Sequence, residues 1–118
     1  MQLKLNVRNV DGVAVVDCAG RILFGDEAAS LRETVKKVIA ENQRIVLNLA
    51  DVNYIDSGGL GTLVALYTTA RSAGGTIKLA SLTERVGDIL QVTKLLTVFE
   101  VYDNLKEALD SFRKGAAA

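Results

Sequence analysis

The chain has 118 residues, 49% of them hydrophobic and 24% charged, which suits one packed domain and leaves no room for two. Its 14 Lys and Arg balance 14 Asp and Glu, so it lacks the basic excess of a protein that grips nucleic-acid phosphates. It has no histidine and a single cysteine, Cys18, which removes Ser-His-Asp and Cys-His catalysis, the usual zinc sites and any intrachain disulfide.

Leu3, Leu5 and Val7 alternate with Lys4, Asn6 and Arg8, the period of a half-buried strand. Asp11-Gly12 then separates it from the apolar run Val13 to Ala19, a hairpin signal that makes the two strands antiparallel neighbours. Cys18 reads as a small buried side chain of that run. Gly20 and Gly25 break the chain around Ile22, Leu23 and Phe24. The first helix is expected over Asp26–Glu41, with Asp26 as N-cap and Glu27 in the first turn. Leu31, Val35, Val38 and Ile39 form its apolar face, and Glu33 and Lys37 pair on the solvated one.

Ile45 to Leu49 reads as a central strand buried on both faces. A loop over 50–56 leads to a second helix over 57–73, stopped by Gly74-Gly75. Thr76–Ala80 is the next strand, and strand, helix, strand in this order implies a right-handed parallel crossover. A short helix over Glu84–Val92, a strand over Val98–Tyr102 and a last helix capped by Asn104, with Leu105, Ala108, Leu109 and Phe112 inward, complete the pattern. The domain is expected over 1–113, with a flexible tail at 114–118. No basic start precedes an apolar segment and no apolar run approaches the ~18 residues of a membrane span, so a cytoplasmic protein without membrane insertion is expected. Alternation of strand and helix after residue 26 makes this an α/β protein with a mixed sheet.

The segment Asp56-Ser57-Gly58-Gly59-Leu60-Gly61 joins loop to helix. Ser57 suits the N-cap, where its oxygen would accept from free amides of the first turn. Three glycines in one turn each cost about 1 kcal/mol relative to Ala. Either they allow close packing behind a capped helix, or they leave the Ser57 hydroxyl open to a large partner. A phosphate-binding loop fits poorly, because neither Gly-Lys-Ser/Thr nor an ordered G-x-G-x-x-G is present. A serine nucleophile fits worse, because Asp56 cannot replace an imidazole and Ile55 stands where Gly-x-Ser-x-Gly needs glycine. A phosphoryl group on Ser57 would carry a charge of about −1.5 to −2, favoured by the helix terminus and opposed by Asp56. Leu60, Leu63, Val64, Tyr67 and Ala70 make the helix's inward arc. Gly61, Thr62, Ala65, Thr68, Thr69 and Ser72 make an outer face without charge, flat enough for a docking partner or for cover by the same chain.

The run from Ile45 to Gly61, with Gly74-Gly75, the following strand and the stretch Val86 to Phe99, resembles the signature of the STAS domain, the family of anti-sigma-factor antagonists. The resemblance covers about residues 3–112. It implies a mixed four- to five-stranded sheet with about four helices packed mainly on one side. It implies that Ser57 is phosphorylated by an anti-sigma factor that is also a serine kinase, that Asp56, Gly58, Gly59 and Gly61 form the switch loop, and that Asp26, Thr62, Ala65 and Thr69 lie on the partner surface. The unmodified antagonist would bind the anti-sigma factor and free the sigma factor, phosphorylation would release it, and a phosphatase would reset it. The protein itself would be a monomer or weak dimer, not an enzyme, with no cofactor and no nucleic-acid partner. ATP and Mg²⁺ belong to the kinase. Some members instead serve as the cytoplasmic subunit of a lipid-transport assembly or as a component of a larger signalling scaffold. The sequence departs from the family at Gly58, where many members have a second Ser, and over Gly20–Ala29, which is longer, with Asp26 displaced.

Overall fold

The computed structural model describes the backbone of residues 2–117 and the side chains of 2–113. The tail expected at 114–118 thus lies outside the described side chains. Ten elements follow in order: β1 (Leu3–Val10), β2 (Val13–Ile22), α1 (Asp26–Glu41), β3 (Arg44–Ile55), α2 (Ser57–Ser72), β4 (Thr76–Ala80), α3 (Glu84–Val92), a 3₁₀ turn (Leu95–Thr97), β5 (Val101–Tyr102) and α4 (Leu105–Ala117).

The strands form one sheet in the order β1-β2-β3-β4-β5, with β1 antiparallel to β2 and the other pairs parallel. The β1–β2 hairpin turns on Asp11 and Gly12, both at positive φ, as Asp-Gly predicts. A row of apolar side chains crosses the sheet in register, Val16 beside Leu47, Leu47 beside Leu79 and Leu79 beside Val101. This face carries the main core. It meets Leu31, Val35 and Val38 of α1, Leu60, Leu63, Leu66 and Ala70 of α2, and Val86 and Leu90 of α3. Cys18 is buried in it, and burial pushes its thiol up to about 12, so it is a packing residue and not a nucleophile. Among the described residues, the opposite face is covered by α4, through Ala108, Leu105, Leu109 and Phe112 against Val13, Val46 and Ala80. Three of the four helices therefore share one side, as the resemblance implies.

The strand expected at 45–49 is much longer. Residues 50–55, expected as a loop, continue pairing with β2 from Ala19↔Asp51 to Ile22↔Ile55 across two irregularities in the register. These irregularities break the period of two, which hides the strand from pattern reading. They also keep Val52 and Ile55 in the core at 0% and 1% exposure. The last strand is shorter than expected, because Val98 closes the 3₁₀ turn of 95–97 in a helical conformation and Phe99 turns into the core against Tyr67, ring centroids 5.3 Å apart.

The N-cap of α1 is Gly25, not Asp26. Gly25 takes φ 102° and ψ −131°, a backbone state open essentially to glycine alone, and no side chain caps the helix. Asp26 instead occupies the first helical position, exposed, where its charge still favours the helix terminus.

Candidate functional site

Because β2 and β3 are parallel and end in register at Ile22 and Ile55, the loops that follow them leave the sheet side by side. One loop leads through Leu23, Phe24 and Gly25 into α1. The other is the single residue Asp56, which leads into α2.

Asp56, not Ser57, is the N-cap of α2. Its backbone is extended, at φ −90° and ψ −179°, and its carboxylate accepts from the Gly59 amide at 2.8 Å. Both residue types cap well. The choice follows from β3, which pairs through Ile55 and so makes Asp56 the last residue before the helix. The same carboxylate accepts the Phe24 amide on both oxygens, at 3.0 Å each, and the Asp56 amide donates to the Ile22 carbonyl at 3.2 Å. Asp56 thus ties the two loops together. The amides of Phe24 and then Gly59 hold its carboxyl below the usual carboxylate range, against a smaller opposing effect of desolvation.

Ser57 is the first residue of α2 and is exposed. Relieved of the capping role, it stands beside a carboxylate that has already taken the Gly59 amide. One of the first-turn amides expected to be free for a phosphate, that of Gly59, is thus already taken by a fixed negative charge.

The glycines also divide differently from the access reading. An added Cβ at Gly59 would overlap the Ile22 carbonyl oxygen, and one at Gly58 would lie 2.6 Å from the Phe24 Cβ and 3.0 Å from its Cα. Both glycines exist so that α2 can start flush against the 22–24 segment. Only Gly61 faces open space.

On α2, Ala65, Thr68, Thr69 and Ser72 are exposed and Thr62 is half-buried. The hydroxyls of Thr62, Thr68 and Thr69 donate to the carbonyls of Gly58, Val64 and Ala65 at 3.0, 3.1 and 2.8 Å, so these polar groups are satisfied within the helix. The outer face is thus uncharged, and its three threonine hydroxyls are bonded to the helix backbone. The inward arc contains Leu66, 1% exposed, which sequence reasoning missed, while Val64 and Tyr67 are only partly buried at the edge of the core.

Sequence reasoning also missed Phe24. Of the apolar trio between Gly20 and Gly25, Ile22 is fully buried while Phe24 is 80% exposed. Nothing in three consecutive apolar residues says which one points outward. The strain-permissive Gly25 beside it was the available signal that this loop holds a fixed shape.

Residues 4–108 match the family model of the STAS domain, and the chain belongs to that family. A TM1081 homologue of Thermotoga neapolitana is 40% identical over 67 residues, 57% of this chain, and the chain spans only 59% of that protein's length. The anti-sigma-B factor antagonist of Bacillus subtilis is 29% identical over 101 residues, 86% of this chain and 92% of that one. The Bacillus cell-fate determinant SpoIIAA, solved in its phosphorylated form, shares the fold at a TM-score of 0.72 with 16% identity, over 92% of this chain and 99% of that chain. Among the described residues, no helix is long and apolar enough to cross a membrane.

Proposed function

We propose that the chain is an anti-sigma-factor antagonist, a cytoplasmic binding module without cofactor or catalysis of its own, switched by phosphorylation of Ser57. The observation that carries this reading is an exposed serine at the first position of α2, beside an uncharged helix face, in a STAS domain. The unmodified protein docks this surface on an anti-sigma factor that is also a serine kinase. In the kinase's active site the Ser57 oxygen attacks the γ-phosphorus of ATP. A new O–P bond forms, the bond to ADP breaks, and the hydroxyl proton passes to a base of the kinase. A phosphatase restores the serine. The likeness to a B. subtilis anti-sigma-B factor antagonist over 92% of that protein supports the partner class.

A phosphate on the exposed Ser57 would release the partner without unfolding the domain. The Gly59 amide of α2 is already held by the Asp56 carboxylate, and Ser57 is exposed, so the new charge of about −1.5 to −2 would stand beside an existing negative charge, in an otherwise neutral interface. An unfavourable juxtaposition of this kind costs several kcal/mol, and each 1.4 kcal/mol is tenfold in affinity.

The test is to incubate the purified protein with ATP and the candidate anti-sigma kinases of the same genome, then read intact mass and peptide maps. One added phosphate on Ser57, and none on the Ser57→Ala protein, is the expected result. Modification confined to Ser30, Ser72, Ser81 or a threonine refutes the assignment.

A further inference from the structure

Phe24 is the most exposed aromatic side chain of the switch region, and its surroundings are built to hold it there. Its amide is bound by both Asp56 oxygens. The carbonyls on either side of it are also engaged, Leu23 accepting from the Ala28 amide and Gly25 from the Ala29 amide, each at 2.9 Å. Phe24 occupies the space that a side chain on Gly58, the residue after Ser57, would need. A residue that is 80% exposed on a backbone held at its own amide and at the carbonyls on either side is a preorganised contact, since less ordering remains to oppose binding. Exposed aromatics held in this way are the side chains that dominate protein interfaces.

We propose that Phe24 is the anchor that inserts into an apolar pocket of the anti-sigma kinase, and that residues 24 and 58 act as a matched pair that sets partner specificity. The proposal rests on the Ser57 reading above. Any protein that brings a phosphoryl donor within bonding distance of Ser57 must cover the adjoining residue 58, and with it Phe24. The pairing follows from the contact: a side chain at 58 would meet the Phe24 Cβ at 2.6 Å and its Cδ1 at 2.8 Å, so this ring position exists only opposite glycine. A partner with a pocket for Phe24 thus selects for Gly58, and a chain with a larger residue at 58 presents a differently placed residue 24.

The test is calorimetric titration of the kinase that phosphorylates Ser57 with wild-type protein and with Phe24→Ala, Phe24→Leu, Gly58→Ala, Ser57→Asp and the double variant Phe24→Gly/Gly58→Ala. Phe24→Ala should weaken binding at least tenfold with its melting curve unchanged, and Phe24→Leu should fall between. Gly58→Ala should lose affinity although Ser57 is intact. The double variant, which removes the clashing Cβ and ring, should melt closer to wild type than Gly58→Ala does while binding no more tightly than Phe24→Ala, so a folding defect cannot imitate the result. Phe24→Ala binding within twofold of wild type, while Ser57→Asp still releases the kinase, overturns the anchor and leaves the switch standing. A Phe24→Ala defect in self-association, with kinase binding unchanged, overturns it in favour of a second copy of this chain as the occupant. If no kinase binds the wild type, both readings fall together.

Discussion

Asp56 carries more of the site than the serine beside it. Its carboxylate holds two backbone amides, Phe24 from the loop before α1 and Gly59 from the first turn of α2, and both would be left without their acceptor in Asp56→Ala. Loss of a cap costs about 0.5–2 kcal/mol, and we expect the upper part of that range here because the Phe24 amide is also freed. Urea unfolding at neutral pH measures it. The pH dependence has a definite sign. The folded-state pKa lies below the unfolded one, so this stabilisation is complete above the ordinary carboxylate range near pH 4 and fades as pH falls through the lower folded value. The stability gap between wild type and Asp56→Ala should therefore narrow below about pH 4. The glycines give a paired test at the same scale. Gly59→Ala forces a Cβ onto the Ile22 carbonyl, a backbone atom that cannot swing aside, and should lower the unfolding free energy by about 1–3 kcal/mol. Gly61→Ala, an exposed helical position with open space, should raise it by up to about 1 kcal/mol. Equal effects at the two positions would refute the packing explanation of Gly59.

At the scale of elements, α4 is the part whose placement pattern reading could not supply. Its apolar spacing was evident, but its choice of face was not. The face depends on Val13, Val46 and Ala80, whose side chains point away from the main core. Lys78 lies on the same side. It sits between Ile77 and Leu79 in β4, and its side chain, 9% exposed, lies beneath α4. It donates to the Ser111 hydroxyl at 2.7 Å, lies 4.2 Å from the Phe112 ring centroid and stands 3.7 Å from Glu100. The ammonium is thus paired as a buried charge must be, and it fixes how α4 sits on the sheet. Ser111→Ala removes one partner from a nearly buried cation and should cost about 1–3 kcal/mol in chemical denaturation. A loss under about half a kcal/mol would show that Glu100 and the rings suffice. Sequence periodicity revealed the hairpin, all four helices and the central strand, because each keeps its period for several residues. It failed over 50–55, where strand irregularities scramble that period, and at residues 24, 56, 58 and 59, where the outcome depends on two loops meeting in space. Asp and Ser are both good caps. Only the length of β3 decides between them.

For the whole molecule, the site is a consequence of topology. Parallel β2 and β3 end in register, so the fold delivers the start of α1 and the start of α2 to one end of the sheet, outside the carboxyl ends of the strands where α/β proteins commonly bind. Asp56 and the two packed glycines then lock those starts together, leaving Phe24 and Ser57 outward on a rigid base. On this account the phosphate acts at the surface and not through the fold. The most direct test compares the affinity of purified Ser57-phosphorylated and unmodified protein for the kinase, with circular dichroism and melting curves recorded on both. We predict at least a tenfold weaker complex for the phosphorylated form, with matching spectra. Equal affinities, or a weakened complex accompanied by loss of the folded spectrum, would contradict it.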